Sequence, residues 1–424
     1  MTNKNEFMIN KITIDGRTID STLVFERTDG DDIAYKTALL EYFRDEEKIP
    51  LSKLAKYYLN ENLNFLCGSG TSVAIGGKTI NKDENPFEEI LAELRAIKVP
   101  KEYIGQLIKF FESEELLEKK FDKINQEHLY YLNNKDDVAS ATIIKEYLDK
   151  ALKIFVDKYV PFPIDYVMDK LSIHELFINK IVSRKETLNR PKVFTPNYDL
   201  AFENACEKIG VSYNNGFRGV HMRKFDPDTF HNETYIKQDS GDKGKRIATY
   251  LNIYKLHGSI SWHYAESIND LYNLKEIQVS DTSKKSEFSF DSLMIYPIQT
   301  KKSYSLDLPY SELFRNFSKS LTETQNTLVA IGYSFIDEHI NDIIRTGLYN
   351  PNLTLIVHSY GLIDDKCPLF LQTLKSRSVS DNRIIIFEGA LVGDFTNIVK
   401  HLIPLNSFIP PKETIIDTLK ELTK

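Results

Sequence analysis

The hydrophobic positions of this chain fall into short continuous runs, separated by segments in which they recur every three or four residues. Residues 7–26, FMINKITIDGRTIDSTLVFE, carry two apolar runs flanking Asp15-Gly16 and predict a hairpin. Helical patterns follow at about 32–45 and 50–60, and then an apolar run at 63–67. From about 85 to 185 the period changes. Phe87, Ile90, Leu91, Leu94 and Ile97 share one face of a helix, as do Leu107, Ile108 and Phe111, and then Ile144, Leu148, Leu152 and Phe155. This block predicts a helical insert of several amphipathic segments, broken by Pro161 and Pro163. Strand-like runs return at 192–195 (KVFT), 251–256 (LNIYKL), 327–331 (TLVAI), 353–358 (LTLIVH) and 383–388 (RIIIFE). Short apolar strands separated by helical patterns predict an α/β fold whose parallel sheet is covered on both faces. Two polar stretches, 231–247 and 278–289, are expected to be surface loops.

Composition narrows the classes of function. With 424 residues, 42% of them hydrophobic, the chain can bury a large core and has room for more than one domain. Its net charge of -7 repels phosphate backbones, which argues against direct nucleic-acid binding as the main activity. Cys67, Cys206 and Cys367 are far apart and form no C-x-x-C pair. That pattern fits a reducing compartment and argues against both a disulfide framework and a thiolate zinc site. The opening residues, MTNKNEFMINK, lack the apolar core of a signal peptide, and no run of about 18 apolar residues occurs. A cytoplasmic protein with no membrane partner is the expectation.

Four polar loops stand directly after strand-like runs, where open α/β sheets bind ligands. The first is Gly68-Ser69-Gly70-Thr71-Ser72. It is either a tight turn or a place where backbone amides and a helix N-terminus approach a pyrophosphate. Val73 occupies the third glycine position of a dehydrogenase fingerprint, and the chain runs through Gly76-Gly77 into the helical insert, which disfavours hydride transfer. The second loop is Thr195-Pro196-Asn197-Tyr198-Asp199, ahead of a helix beginning near Leu200. An N-cap accounts for Asp199 and leaves Asn197 unexplained. The third, Leu256-His257-Gly258-Ser259, sets an imidazole beside two small residues. A packing histidine and a catalytic one both fit that setting, whereas His263, next to the single tryptophan Trp262, reads as structural. The fourth, Gly332-Tyr333-Ser334-Phe335, precedes Asp337, which is expected to cap a helix. No acidic cluster suggests a metal-dependent nuclease.

In this order along one chain, the four loops resemble the NAD-binding core of the sirtuins over about 60–390. The resemblance implies a Rossmann-like parallel sheet of sirtuin type with a large helical insert, and NAD as the ligand. On that basis Gly68 and Gly70 would lie against the NAD pyrophosphate, with Ser69, Thr71, Ser72 and Thr195 in the same binding loops. Gly332, Tyr333 and Ser334 would contact the adenosine-side ribose. Asn197 would position ribose or water, and Asp199 would hold the nicotinamide carboxamide or favour the developing positive charge. His257 would act as base toward a ribose hydroxyl or the attacking water.

The departures matter as much. Deacylating sirtuins carry a four-cysteine zinc ribbon after their His-Gly, and this chain has only Cys367 beyond that point, so no zinc and no other metal are expected. Pro196 stands where those enzymes usually have glutamine. The helical insert, with TPNYD and GYSFID, is similar to the sirtuin-like effectors of bacterial antiphage systems, which hydrolyse NAD to nicotinamide and ADP-ribose and starve an infected cell. That similarity implies an NAD glycohydrolase acting as a homo-oligomer under the control of a HerA-type hexameric ATPase, with an argonaute-like partner as the second candidate. A protein deacylase, an ADP-ribosyltransferase and a non-catalytic NAD- or ADP-ribose-binding subunit would use the same pocket and stand as alternatives. The chain then divides into an N-terminal assembly extension (1–60), a catalytic domain (61–410, insert about 85–185) and a helical tail (411–424).

Overall fold

The computed structural model describes residues 5–26, 32–78, 85–97, 102–113, 117–134, 137–163, 166, 171–236, 245–247, 249–264, 272–279 and 309–404. The tail at 411–424 and the polar stretch from 280 to 289 lie outside the described residues.

The first apolar runs form the predicted hairpin, β1 (Asn5–Ile14) and β2 (Arg17–Glu26). Its two turn residues, Asp15 and Gly16, both have positive φ, as a twist-matched two-residue turn requires. Helices α1 (Asp32–Arg44) and α2 (Leu51–Tyr58) lead into β3 (Asn62–Cys67). The insert then supplies α3 (Glu88–Ala96), α4 (Glu102–Glu112), α5 (Leu117–Asn134) and α6 (Val138–Tyr159), followed by α7 (Ser172–Val182). Next come β4 (Lys192–Thr195), α8 (Ala201–Ile209) and β5 (Ser212–Asn214). Short strands β6 (Phe217–Arg218), β7 (Arg223–Phe225), β8 (Tyr235–Ile236) and β9 (Lys245–Arg246) precede β10 (Tyr250–Lys255). After β11 (Trp262–Tyr264) and β12 (Leu274–Glu276), α9 (Tyr310–Leu321) leads into β13 (Asn326–Ile331). The rest alternates: α10 (Glu338–Gly347), β14 (Leu353–Ser359), α11 (Leu369–Ser378), β15 (Ile384–Glu388), α12 (Ala390–Gly393) and α13 (Phe395–Asn397).

Nine strands form one sheet in the order β2-β1-β15-β14-β13-β3-β4-β10-β5. The seven from β15 to β5 run parallel, and the hairpin joins antiparallel at one edge. Their apolar runs are continuous because both faces are covered. Leu66, Phe194, Leu328, Ala330, Leu355 and Val357 enter one core, and their neighbours Phe65, Cys67, Val193, Val329, Ile331 and Ile356 enter the other. Helices α3 to α6, with α9 to α11, pack on the first face. Helix α7 does not follow the insert. Its Phe177, Ile178 and Ile181 belong to the second core with Phe202 of α8.

One local reading is corrected. The stretch 231–247, expected to be a plain surface loop, holds the β8–β9 ladder, Tyr235 facing Arg246. The hairpin, expected as part of an assembly extension, pairs through β1 with β15 at Lys11–Glu388, Ile12–Phe387 and Thr13–Ile386 and so covers this chain's own sheet edge.

The order of strands locates a crevice. From β3 the next parallel strand, β4, lies to one side, whereas from β13 the next, β14, lies to the other. Loops leaving β3 and β13 therefore part in opposite directions, and the carboxyl ends of this central pair are where an open α/β sheet holds its ligand.

Candidate active site

All four polar loops converge on that crevice. It opens into a cleft of about 910 Å³, whose floor is lined by Gly68, Gly70, Asn197, Asp199, His257 and Gly332. The helical insert also lines it through Leu117, Lys120, Phe155 and Tyr159, and the ends of β14 and α12 line it through Ser359 and Gly393.

The glycine loop after β3 does not start an α-helix. It continues as two single 3₁₀ turns, Ser69–Thr71 and Val73–Ile75. The amide of Gly70 donates to the Gly332 carbonyl at 3.0 Å, and those of Thr71 and Ser72 donate to the carbonyls of Gly68 and Ser69. These N–H groups are therefore committed within the protein, which corrects the picture of a helix N-terminus aimed at a pyrophosphate. The glycines themselves have a packing reason. A Cβ on Gly68 would lie 2.4 Å from the Gly332 oxygen, one on Gly70 would lie 2.7 Å from the Gly332 Cα, and one on Gly332 would lie 2.7 Å from the Gly70 Cα. Backbone meets backbone here, and Gly332 also has φ +61°.

Two residues expected to touch a cofactor lie beneath this floor. Thr71 and Thr195 are fully buried, and neither lines the cleft. The Thr195 hydroxyl donates to the Cys67 carbonyl at 2.7 Å and accepts from the Asn197 amide at 3.0 Å, and the Thr71 hydroxyl donates to the Gly68 carbonyl at 2.8 Å. Both residues shape the loops from below. Ser69, Ser72, Tyr333 and Ser334 do line the cleft.

Asn197 bridges the two loops. Its Nδ2 donates to the Gly68 carbonyl at 2.9 Å and to Ser72 Oγ at 2.8 Å. The donor end of the amide is thus spent on the glycine loop, which answers why an asparagine accompanies the aspartate. Asp199 sits one residue ahead of the α8 N-cap, Leu200. Its Oδ1 accepts from the Ala201 amide at 3.1 Å and its Oδ2 accepts from Ser72 Oγ at 2.6 Å. Behind it, His174 of α7 is enclosed between the rings of Phe202 and Phe395. Burial pushes the His174 imidazole down to about 4, with the Asp199 carboxylate opposing, so it stands neutral at pH 7.

His257 is not a packing residue alone. Its Nε2 lies 2.9 Å from Asp337 Oδ2, and both side chains are under one-tenth exposed. Asp337 also does what the sequence predicts, its Oδ1 accepting from the His339 and Ile340 amides at the start of α10. One carboxylate oxygen caps the helix and the other holds the imidazole. The loop that delivers Asp337 is strained. Phe335 is buried with φ +58°, and its carbonyl is held by Asn341 Nδ2 at 2.9 Å. Sequence reasoning missed Asp337 as a site residue because the cap alone explained it.

A second polar group supports the Asn197 loop from the side of the small antiparallel sheet β11-β12-β7-β6. Lys255, fully buried, donates to the Asp199 carbonyl and lies 3.6 Å from Glu203 Oε1. Burial pushes the Glu203 carboxyl up, against the Lys255 charge. Glu276 of β12 pairs with Arg223 at 2.9 Å and accepts from Asn215 Nδ2 at 2.7 Å and Ser261 Oγ at 3.3 Å. Ser261 in turn meets Ser259 at 3.0 Å, beside the Tyr198 carbonyl. His263 lies on β11 opposite Lys275, away from the cleft lining, and its neighbour Trp262 packs on Phe217 and Phe225.

Burial pushes the Glu276 carboxyl up to about 7 despite the Arg223 charge. A folded-state pKa above the unfolded value of about 4.3 means that the native state holds the extra proton. The stability this supplies is present below about pH 4.3 and is lost as pH rises through about 7. Glu276→Gln should flatten that part of the profile, read as denaturation midpoints between about pH 4.5 and 7. A variant whose midpoints fall as steeply as the wild type's across this window would refute the assignment.

Among the described residues no group of three or more His, Cys, Asp or Glu side chains is placed to hold a metal ion, and no helix is long and apolar enough to cross a membrane.

Comparison with known proteins gives three findings. No curated protein matches the chain. Among solved structures, one of Sir2 with a deacetylated p53 peptide and 3'-O-acetyl ADP-ribose shares 11% identity, with a TM-score of 0.33, over 78% of this chain and 98% of that chain. Residues 191–353 match the SIR2-like domain family. That segment contains Asn197, Asp199, His257, Gly332 and Asp337, so the chain carries a SIR2-like segment, and three of the four polar loops come from it, Gly68–Ser72 being the fourth.

Proposed function

We propose that this protein is an NAD glycohydrolase that cleaves the nicotinamide–ribose bond with water as acceptor. The observation that carries the reading is the His257–Asp337 pair, set in the same crevice as Asn197 and Asp199 within a SIR2-like segment. Nicotinamide leaves as a neutral base from a cation, so the protein need not supply the strong general acid of ordinary glycosidases. What it must do is orient the ribose, tolerate positive charge at the anomeric carbon and place a water there.

The residues divide that work. Asn197, its donor end fixed on Gly68 and Ser72, offers its Oδ1 acceptor to a ribose hydroxyl or the water. The Asp199 carboxylate, held by Ser72 and the Ala201 amide, places negative charge near the developing oxocarbenium. His257 takes a proton from a hydroxyl or the water, and Asp337 orients its ring and stabilises the imidazolium that forms. The chain has no cysteine set for a zinc ribbon, which favours water over an acyl-lysine.

The biological setting that fits is antiphage defence by NAD depletion, with homo-oligomerisation and a HerA-type ring ATPase as the control. Purified protein, alone and with such a partner, should convert NAD to nicotinamide and ADP-ribose, both read by chromatography, with no peptide added. Consumption of NAD only when an acylated peptide is present would sink the hydrolase reading in favour of deacylation.

A further inference from the structure

Lys120, in the first turn of α5, is 7% exposed and lines the cleft together with Asn85, Ser113 and Leu117. Its Nζ donates to the Phe111 carbonyl, near the end of α4, at 3.1 Å. An ammonium carries three N–H donors and no acceptor, so among the described residues two of its hydrogens have no acceptor. Burial pushes the amine down from its ordinary range, as expected for a charge taken out of water without a counter-charge. Lysines are almost never buried this far unless they are paired.

Helix capping does not account for the residue. The Phe111 carbonyl, left open by the end of α4, already accepts from Asn85 Nδ2 at 3.0 Å. Nor is any acid of the cleft its counter-ion. Four carboxylates line the cleft among the described residues, and each is held elsewhere. Glu112 pairs with Arg95, Asp199 accepts from Ser72 and the Ala201 amide, Asp337 holds His257 and caps α10, and Asp394 accepts from the Asn397 amide.

The cleft has a matching need. The Gly70, Thr71 and Ser72 amides are committed within the protein, so an anionic ligand must find positive charge elsewhere. Among the described residues the only lysine or arginine side chains lining the cleft are those of Lys78 and Lys120. Lys78 is exposed, where water screens its charge. Lys120 is desolvated, where a charge-assisted hydrogen bond is strongest, and the positive end of an 18-residue helix adds to its field. We propose that Lys120 is the cation of an oxyanion subsite on the insert side of the cleft, and that a phosphate group of a bound ligand takes its two open hydrogens. Two sources carry that chemistry. One is the pyrophosphate of the dinucleotide, which rests on the NAD reading given above, and the other is a separate small anion bound beside it, which does not.

The test is calorimetry on the full chain with ADP-ribose, inorganic pyrophosphate and adenosine, which has no phosphate. Lys120→Met keeps the length and packing of the stem and removes the charge. It should weaken binding of ADP-ribose or of pyrophosphate about tenfold or more, and leave adenosine within about twofold. Loss for ADP-ribose, with pyrophosphate competing against it in the wild type, assigns the subsite to the dinucleotide. Loss for pyrophosphate alone, bound together with ADP-ribose of unchanged affinity, assigns it to a separate anion. Lys120→Arg keeps the charge and should retain most of the affinity. Lys120→Gln can still donate to the Phe111 carbonyl and should lose the affinity as the Met variant does, so a folding defect in one neutral variant leaves the other to decide. ADP-ribose and pyrophosphate both bound within about twofold of wild type by a folded neutral variant would overturn the subsite. An equal loss for adenosine would overturn it too, by showing a packing role. A wild type that binds pyrophosphate through Lys120 but neither ADP-ribose nor NAD would overturn the NAD reading and leave the subsite standing.

Discussion

Asp337→Asn should lower NAD turnover by on the order of 10²–10⁴-fold while changing stability little. The two effects separate because the side chain does two jobs with two oxygens. Asparagine caps helices about as well as aspartate, so the bonds from the His339 and Ile340 amides survive. The carboxylate that faces His257 Nε2 at 2.9 Å is lost, and with it the charge that stabilises an imidazolium. His257→Ala should be at least as damaging, and the double variant no worse than the worse single one, since residues acting as a unit lose their effect together. NAD cleavage rates at saturating substrate, with circular dichroism for the fold, decide the matter. Additive losses, or a folded Asp337→Asn with wild-type kcat, would show that the pair has no part in the chemistry.

The other large effect is on architecture. Gly332→Ala should destabilise the protein by roughly 3 kcal/mol or more, from a left-handed backbone and an overpacked contact together. Its φ is +61°, and the new Cβ would fall 2.7 Å from both the Gly70 Cα and the Thr71 nitrogen. Those are backbone atoms, which cannot move aside as a flexible side chain could. Gly361→Ala is the matched control, a glycine lining the same cleft. Nothing lies within 4 Å of its Cβ position, and its change should stay within about 0.5 kcal/mol. Denaturant midpoints on the two variants would settle this, and equal midpoints would refute the account of the glycines.

The sequence was most legible where burial is two-sided. Phe65-Leu66-Cys67 and Leu355-Ile356-Val357 read as strands because alternate residues enter two different cores, so no polar position interrupts them. The insert was legible through its helical period, but periodicity reports the kind of element and not the face of the sheet it joins, which is why α7 fell in with α3 to α6. The small antiparallel sheet escaped because strands of two or three residues, such as Phe217–Arg218, carry no period at all. In the site, loop positions could be read from polar residues at strand ends, and Asn197, Asp199 and His257 do meet there. Partnerships could not. The Asp337 carboxylate and the His257 imidazole come from different strands, and helix capping already accounted for the aspartate. Thr71 and Thr195 show the converse, since a residue inside a motif can serve the loop from beneath and never face the cleft.

The contact between Gly68, Gly70 and Gly332 also sets an order of events during synthesis. β3 forms the middle of the sheet, yet its partner on one side, β13, pairs Asn62 with Asn326 and leaves the ribosome much later than its partner on the other side, β4. Until then β3 has an open edge and the glycine loop has nothing to rest on. Sheets closed by such distant pairings fold slowly, because the long intervening chain must be brought back first. A nascent chain released before β13 therefore holds Asn197, Asp199 and His257 but no crevice to place them in. Under the NAD glycohydrolase reading proposed above, translation itself would keep every unfinished copy inactive.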